Sequence, residues 1–146
     1  MNVGVLALQG AFIEHEKTLR GLGANAVEVR LPEHLDDLDA LIIPGGESTT
    51  IGKLAVSFRL LDPLRQFAVE KPVWGTCAGM IMLANDIGRD QPLIGVMDIQ
   101  VNRNAFGRQV DSFEEDLVIE GLGDAPFHAV FIRAPIIDRA GPGVEV

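Results

Sequence analysis

The sequence has one cysteine, one tryptophan and no tyrosine, and aromatic residues make up only 5% of its 146 positions. A lone cysteine closes no internal disulfide and supplies no metal quartet, so the chain fits a reducing compartment. Cationic residues are also scarce, with 12 Lys and Arg against 21 Asp and Glu, a net charge of -9. No lysine/arginine cluster interrupts that acidity, which argues against nucleic acid or anionic membrane as the main partner. No window approaches the ~20 apolar residues of a membrane span. The apolar opening from Met1 to Leu8 lacks a basic lead and runs straight into Gln9-Gly10. It does not read as a signal peptide, and the expected location is the cytoplasm.

What is present is a globular composition, 47% hydrophobic, in a length suited to one domain over residues 1–146. Val3 to Leu8 and Ala40 to Ile43 are short apolar runs, as strands buried on both faces show, and Ala26 to Arg30 alternates like a strand nearer an edge. Helices are expected over Phe12 to Leu22, over Ile51 to Leu61 and Leu64 to Val69 with a break at Asp62-Pro63, and over Ala78 to Asn85. A single helical turn is expected at Leu35 to Leu38. Past Gly88 the texture changes to strands at Leu93 to Val96, Ile99 to Val101, Leu117 to Ile119 and Ala129 to Ile132. Alternating strands and helices predict a parallel sheet covered on both faces, with added, partly antiparallel strands in the second half. Ligand crevices of such sheets lie beyond the C-terminal strand ends. Three unusual turns fall there: Gln9-Gly10, Gly45-Gly46-Glu47-Ser48 and Thr76-Cys77-Ala78.

The third turn carries Gly75-Thr76-Cys77-Ala78-Gly79 between a short strand and a helix. Cysteine stands where a hydrolase elbow carries serine, and two glycines leave room for the sharp turn that exposes the central side chain. Isolated cysteines are mostly small buried hydrophobes, but this setting makes Cys77 a candidate nucleophile. The Gly45 to Thr50 turn admits three readings: a helix cap by Ser48 or Thr49 with Glu47 complementing the dipole, an anion site, or an oxyanion hole. In the last, a glycine N–H joins that of Ala78 to face the carbonyl attacked by Cys77. A thiol nucleophile needs a base, normally histidine. His15 lies among Glu14 and Glu16, His34 in a polar loop, and His128 at the start of an apolar strand; none stands out. Arg103 and Arg133 fit either a substrate-carboxylate clamp or the ion pairing of an acidic domain.

Together these stretches resemble one family, the glutaminase subunits of pyridoxal 5′-phosphate synthase, which are class I (triad-type) glutamine amidotransferases. The resemblance is carried by Gly4 to Phe12 with Glu14-His15, by Leu41 to Thr50, by Gly75 to Gly79, by Arg103 to Phe113 and by Phe131 to Pro135. It implies a flavodoxin-like three-layer α/β sandwich. It implies that Cys77 attacks the side-chain amide of L-glutamine, with Gly46 and Ala78 as oxyanion-hole donors and Gly46, Glu47, Ser48, Arg103, Ile132 and Arg133 binding the substrate. No metal or organic cofactor is implied. The implied partner is the synthase subunit, a ring of (β/α)-barrels whose docking reorganises the Gly45-Gly46 peptide, a change that glycine tolerates cheaply. Ammonia then passes internally, which is reasonable because free ammonia is mostly protonated, and so not nucleophilic, at neutral pH.

One departure stands out. The family's catalytic histidine and glutamate lie in a His-Pro-Glu stretch, and residues 1–146 contain none. Either the C-terminal part bearing that pair is missing, or the base is lost, and the polypeptide as written is not expected to turn over glutamine efficiently. Two rivals follow: a cysteine hydrolase of the same fold acting on another substrate, and an inactive docking or scaffold homologue. His15 stays a helix-face residue in this reading, with partner contact as the weaker option.

Overall fold

Continuous apolar runs become buried strands. In a computed structural model, which describes residues 1–103, 113–131 and 135–146, β1 (Asn2–Leu6), β2 (Asn25–Val29), β3 (Ala40–Ile43) and β4 (Val73–Gly75) form one all-parallel sheet. Its order is β2-β1-β3-β4. The half-exposed β2 takes the edge, as its alternating pattern predicts, while β1 and β3 fill the interior. That order is flavodoxin-like and reverses direction between β1 and β3, where such sheets open a ligand crevice.

Alternate side chains go to opposite faces of a strand. Leu6, Leu41 and Ile43 pack with residues of α2 (Ser48–Ser57), α3 (Leu61–Glu70) and α4 (Ala78–Leu83), and Val73 joins that core. Trp74, next to Val73, faces the other way and meets His15 of α1 (Phe12–Gly21) edge-on at 5.9 Å. Helices therefore cover both faces, giving three layers. Because these strands run parallel, their C-terminal ends place the turns after β1, β3 and β4 at one rim.

Beyond α4 the described residues add β5 (Ala84–Asp86), β6 (Met97–Asn102), β7 (Phe113–Leu117), β8 (Phe127–Phe131) and β9 (Ile136–Ala140). β5, β6 and β9 form a mixed sheet, with β6 and β9 antiparallel, and β7 pairs antiparallel with β8. A second apolar cluster, Ile81, Ala84, Ile87, Ile99 and Val101, ties α4 to this mixed sheet.

Several local expectations need correction. The break between α2 and α3 falls at 58–60, where Arg59 adopts φ 55, and Pro63 sits inside the first turn of α3. Proline is tolerated there because its missing N–H has no intrahelical partner. The turn expected at Leu35 to Leu38 is a 3₁₀ helix over Pro32–Leu35. Leu93 to Val96 is not a strand: Ile94 N–H and Gly95 N–H donate to Met82 O and Val96 N–H to Leu83 O, docking the segment on the end of α4. That helix stops at Leu83, so Ala84 and Asn85 pass into β5. No helix among the described residues is long and apolar enough to cross a membrane.

Candidate active site

β4 ends at Gly75 and α4 begins at Ala78, so only Thr76 and Cys77 make the reversal. Cys77 is exposed and adopts φ 51, ψ -105. A non-glycine residue in such backbone stores roughly 1–3 kcal/mol of strain. The glycine spacing has a steric cause. A Cβ on Gly75 would lie 2.5 Å from the carbonyl carbon of Gly79, and one on Gly79 would overlap the carbonyl oxygen of Ile43. The Thr76 N–H donates to that same Ile43 oxygen at 3.0 Å, pinning the elbow to β3. Ala78, the first residue of α4, is 1% exposed. No hydrogen bond among the described residues uses its N–H, as expected for a first-turn donor.

The turn after β3 lies against this elbow: a Cβ on Gly45 would come 3.5 Å from the Cys77 Cβ. The Gly45 carbonyl accepts from Ala11 N–H at 3.0 Å. Across a trans peptide the Gly46 N–H points the opposite way, away from Ala11, and among the described residues it has no partner. Glu47 N–H donates to Gln9 Oε1 at 2.7 Å. Gly46 itself is confined, since a Cβ there would lie 2.5 Å from Gln9 Oε1 and 3.0 Å from the Gly10 Cα. Gln9 is thus a site-forming residue that appeared in the sequence only as part of a turn.

Glu47 caps α2. Its carboxylate accepts from Thr49 N–H at 3.2 Å, so the cap is Glu47 and neither Ser48 nor Thr49. The same Oε1 takes Arg103 Nη2 at 2.8 Å. The Thr49 N–H bond foremost holds the Glu47 carboxyl below the usual glutamate range; burial, the next largest effect, opposes it, and the Arg103 charge and further hydrogen bonds to Arg103 and Thr49 add to the lowering. Arg103 Nη1 also reaches Gln91 Oε1 at 3.1 Å and Thr49 Oγ1 at 3.3 Å. Gln91 Nε2 donates to Ser48 Oγ at 3.3 Å, and Ser48 is 1% exposed. Sequence reasoning placed Glu47, Ser48 and Arg103 together but missed Gln91, a polar residue in irregular backbone without a motif around it.

The three histidines go elsewhere. His15 Nε2 lies 3.3 Å from Thr76 Oγ1, beside the elbow without a bond to the thiol. Burial lowers its pKa, offset in part by Glu14. His34 Nδ1 accepts from Arg30 N–H. His128 is flanked across the hairpin by Asp116 at 2.8 Å and Glu114 at 3.1 Å, carboxylates distant in sequence. Ile132, Arg133 and residues 104–112 of the long matching block lie outside the described residues. Among the described residues no group of three or more His, Cys, Asp or Glu side chains could hold a metal ion.

Residues 5–146 match the model of the SNO glutamine amidotransferase family. The chain is 64% identical to a pyridoxal 5′-phosphate synthase subunit PdxT from Herpetosiphon aurantiacus, over 99% of this chain and 79% of that protein. It is 64% identical to a second, from Pelotomaculum thermopropionicum, over 100% of this chain and 76% of that protein. A crystal structure of a glutamine amidotransferase superposes with a TM-score of 0.91 at 57% identity, covering 99% of this chain and 77% of the other. PurLQS from Thermotoga maritima shares the fold alone, with a TM-score of 0.62 at 18% identity, covering 92% of this chain and 64% of the other.

Proposed function

Because the chain belongs to the SNO glutamine amidotransferase family, we propose that it hydrolyses L-glutamine to glutamate and ammonia and passes the ammonia to a pyridoxal 5′-phosphate synthase partner. The observation that carries the chemistry is the contact between the Cys77 elbow and the Gly45-Gly46 turn, with N–H groups at Gly46 and Ala78 that the described residues leave unbonded. Oxyanion stabilisation needs two preorganised donors beside a nucleophile, and removing one such donor typically lowers rates by about 10²–10³-fold.

An amino-acid substrate presents a carboxylate and an ammonium at one end and the reacting amide at the other. The Arg103–Glu47 pair offers one charge of each sign beside the turn. In our reading Arg103, with Arg133 and Ile132, takes the α-carboxylate end. Glu47 takes the ammonium through Oε2, which has no hydrogen bond among the described residues. The Cys77 sulfur then adds to the amide carbonyl, the oxyanion is held by the Gly46 and Ala78 N–H groups, and collapse expels ammonia to leave a γ-glutamyl thioester. Water cleaves the thioester to glutamate. The thiol proton must reach the departing nitrogen through a base. Each described histidine is engaged away from the sulfur, so that base is not His15, His34 or His128. Capture of an activated electrophile by Cys77 is therefore the step this arrangement completes on its own. The ring of barrels is the proposed acceptor of the ammonia.

The test is alkylation of Cys77 by a chloromethyl ketone analogue of L-glutamine, followed by peptide mapping, with and without L-glutamine and a pyridoxal 5′-phosphate synthase subunit. Labelling at Cys77 should saturate with reagent, slow when L-glutamine is present and accelerate when the synthase subunit is added. Absence of protection by L-glutamine would overturn the substrate assignment. Protection without any response to the synthase subunit would overturn the partner assignment alone.

A further inference from the structure

We infer that Gln91 is a positioning residue of the glutamine site, its side-chain amide setting the plane of the Arg103 guanidinium against the Ser48-Thr49 turn. The inference rests on the glutamine reading above. Arg103 stands just past β6 and its side chain is 15% exposed, whereas the Glu47 carboxylate that pairs with it is 56% exposed. One exposed carboxylate oxygen, bonded through one guanidinium nitrogen, leaves the planar group free to swing about that contact. Gln91 Oε1 supplies a second acceptor on the other terminal nitrogen, at 3.1 Å. With the longer Thr49 Oγ1 contact at 3.3 Å beside it, acceptors then engage both terminal nitrogens and fix the plane. The Arg103 Nε is buried with no partner among the described residues, so it adds no third restraint.

The amide orientation follows from chemistry. Guanidinium donates and never accepts, so the Gln91 oxygen must face Arg103 and its nitrogen must face Ser48. Thr49 closes the ring, its hydroxyl donating to Gln91 Oε1 at 3.1 Å while its oxygen accepts from Arg103 Nη1 at 3.3 Å. Gln91 joins the start of α2 to the end of β6 through one side chain. Its own backbone is held on two sides. Gly52 of α2 packs so closely on the next residue that a Cβ there would lie 2.5 Å from the Pro92 oxygen. On the other side Arg65 donates to the carbonyls of Leu93 at 2.7 Å and Ile94 at 3.2 Å. Irregular backbone fixed in this way can orient a side chain as firmly as a strand does.

The consequence is specific to ligand capture. Without the amide, Arg103 loses one restraint and recognition of the α-carboxylate weakens, while the Cys77 thiol is untouched. The experiment measures the concentration dependence of Cys77 alkylation by the chloromethyl ketone analogue in wild type, Gln91→Ala, Gln91→Met and Gln91→Glu, with iodoacetamide as a reagent that lacks the amino-acid end. The half-saturating concentration should rise by about tenfold in Gln91→Ala and Gln91→Met, the scale of a lost hydrogen bond to a charged group. Limiting rate and iodoacetamide rate should stay at the wild-type value. Gln91→Glu keeps the acceptor facing Arg103 and Thr49 and should restore half-saturation to near wild type. Unchanged half-saturation in Gln91→Met would overturn the proposal, as would loss of folding in both Gln91→Ala and Gln91→Met, which would assign the residue to the fold. Failure of wild type itself to saturate would instead remove the glutamine reading.

Discussion

Gly75→Ala tests whether the elbow is as tightly built as its geometry requires. The new Cβ would lie 2.5 Å from Gly79 C, 2.6 Å from Gly79 O and 2.7 Å from Met80 N, all of them backbone atoms of α4. Contacts under 3.0 Å are essentially absent from real structures, so strand and helix must part by at least 0.5 Å (3.0 less 2.5). The strand cannot retreat cheaply, because Gly75 pairs with Ile43 and Thr76 N–H donates to the Ile43 oxygen at 3.0 Å. The helix must therefore move, carrying the Ala78 N–H with it. Overpacking of this kind costs about 1–3 kcal/mol. Misplacement by about 1 Å can cost roughly 10²-fold in rate, so half that distance should cost on the order of tenfold. Urea unfolding should show a lowered midpoint, and alkylation of Cys77 by the glutamine-like chloromethyl ketone should slow by about that factor. Iodoacetamide, which needs only the exposed thiol, should react as with wild type. A variant with wild-type midpoint and wild-type alkylation would refute the argument that the two glycines exist to let α4 close on β4.

The same chemical change at Gly21 should have the opposite sign. It is the last residue of α1, a Cβ there would meet nothing within 4 Å, and Gly21→Ala should stabilise by about 0.5–1 kcal/mol in urea unfolding. Cys77→Gly should remove alkylation yet raise stability by about 1 kcal/mol, because glycine adopts φ 51 without the strain that an exposed cysteine bears; Cys77→Ala, which keeps a Cβ, should not gain. The Glu47 carboxyl lies below its ordinary value of 4.5 through its Thr49 bond and Arg103, so its contribution to stability is present above pH 4.5 and is lost as pH falls through the lower folded value. Urea midpoints of Glu47→Gln and wild type should therefore differ above that pH and converge below it.

The parts of the fold visible in the sequence are those where a local pattern and a tertiary need coincide. β1 and β3 read as apolar runs because both faces of each are covered, and Gly-x-Cys-x-Gly was legible because its spacing is itself steric, Gly75 against Gly79 and Gly79 against Ile43. The helix break was misplaced because Pro63 is a strong local signal with a harmless position, while the actual terminus depends on Arg59 taking a positive φ, which nothing nearby in sequence announces. Leu93 to Val96 carried a strand's composition, but its backbone partners are Met82, Leu83 and Arg65, all long-range. Gln91 left no sequence signal for the same reason. Its partners Ser48, Thr49 and Arg103 lie 43, 42 and 12 residues away, and the packing of Pro92 on Gly52, with Arg65 holding the Leu93 and Ile94 carbonyls, keeps the segment beside them.

The wall that faces the nucleophile is set by the turn after β1 as much as by the glycine pair itself. Ala11 N–H takes the Gly45 carbonyl and so fixes which way the Gly46 N–H points, while Gln9 Oε1 holds the N–H of Glu47 one residue on. Gly10 makes this grip possible: at φ 106 it brings its Cα against Gly45, where a Cβ would overlap the carbonyl oxygen. That turn is in turn anchored from outside, since Arg30 donates to the Ala7 carbonyl at 2.6 Å and stacks its guanidinium 5.2 Å from the Phe12 ring. One turn of α1 further on, His15 touches Thr76, the residue before the nucleophile. The N-cap and first turn of α1 thus contact both halves of the site, the donor turn through Ala11 and the elbow through His15. A displacement of that segment would therefore act on the Gly46 donor turn and on the Cys77 elbow alike, although the segment carries no reacting atom.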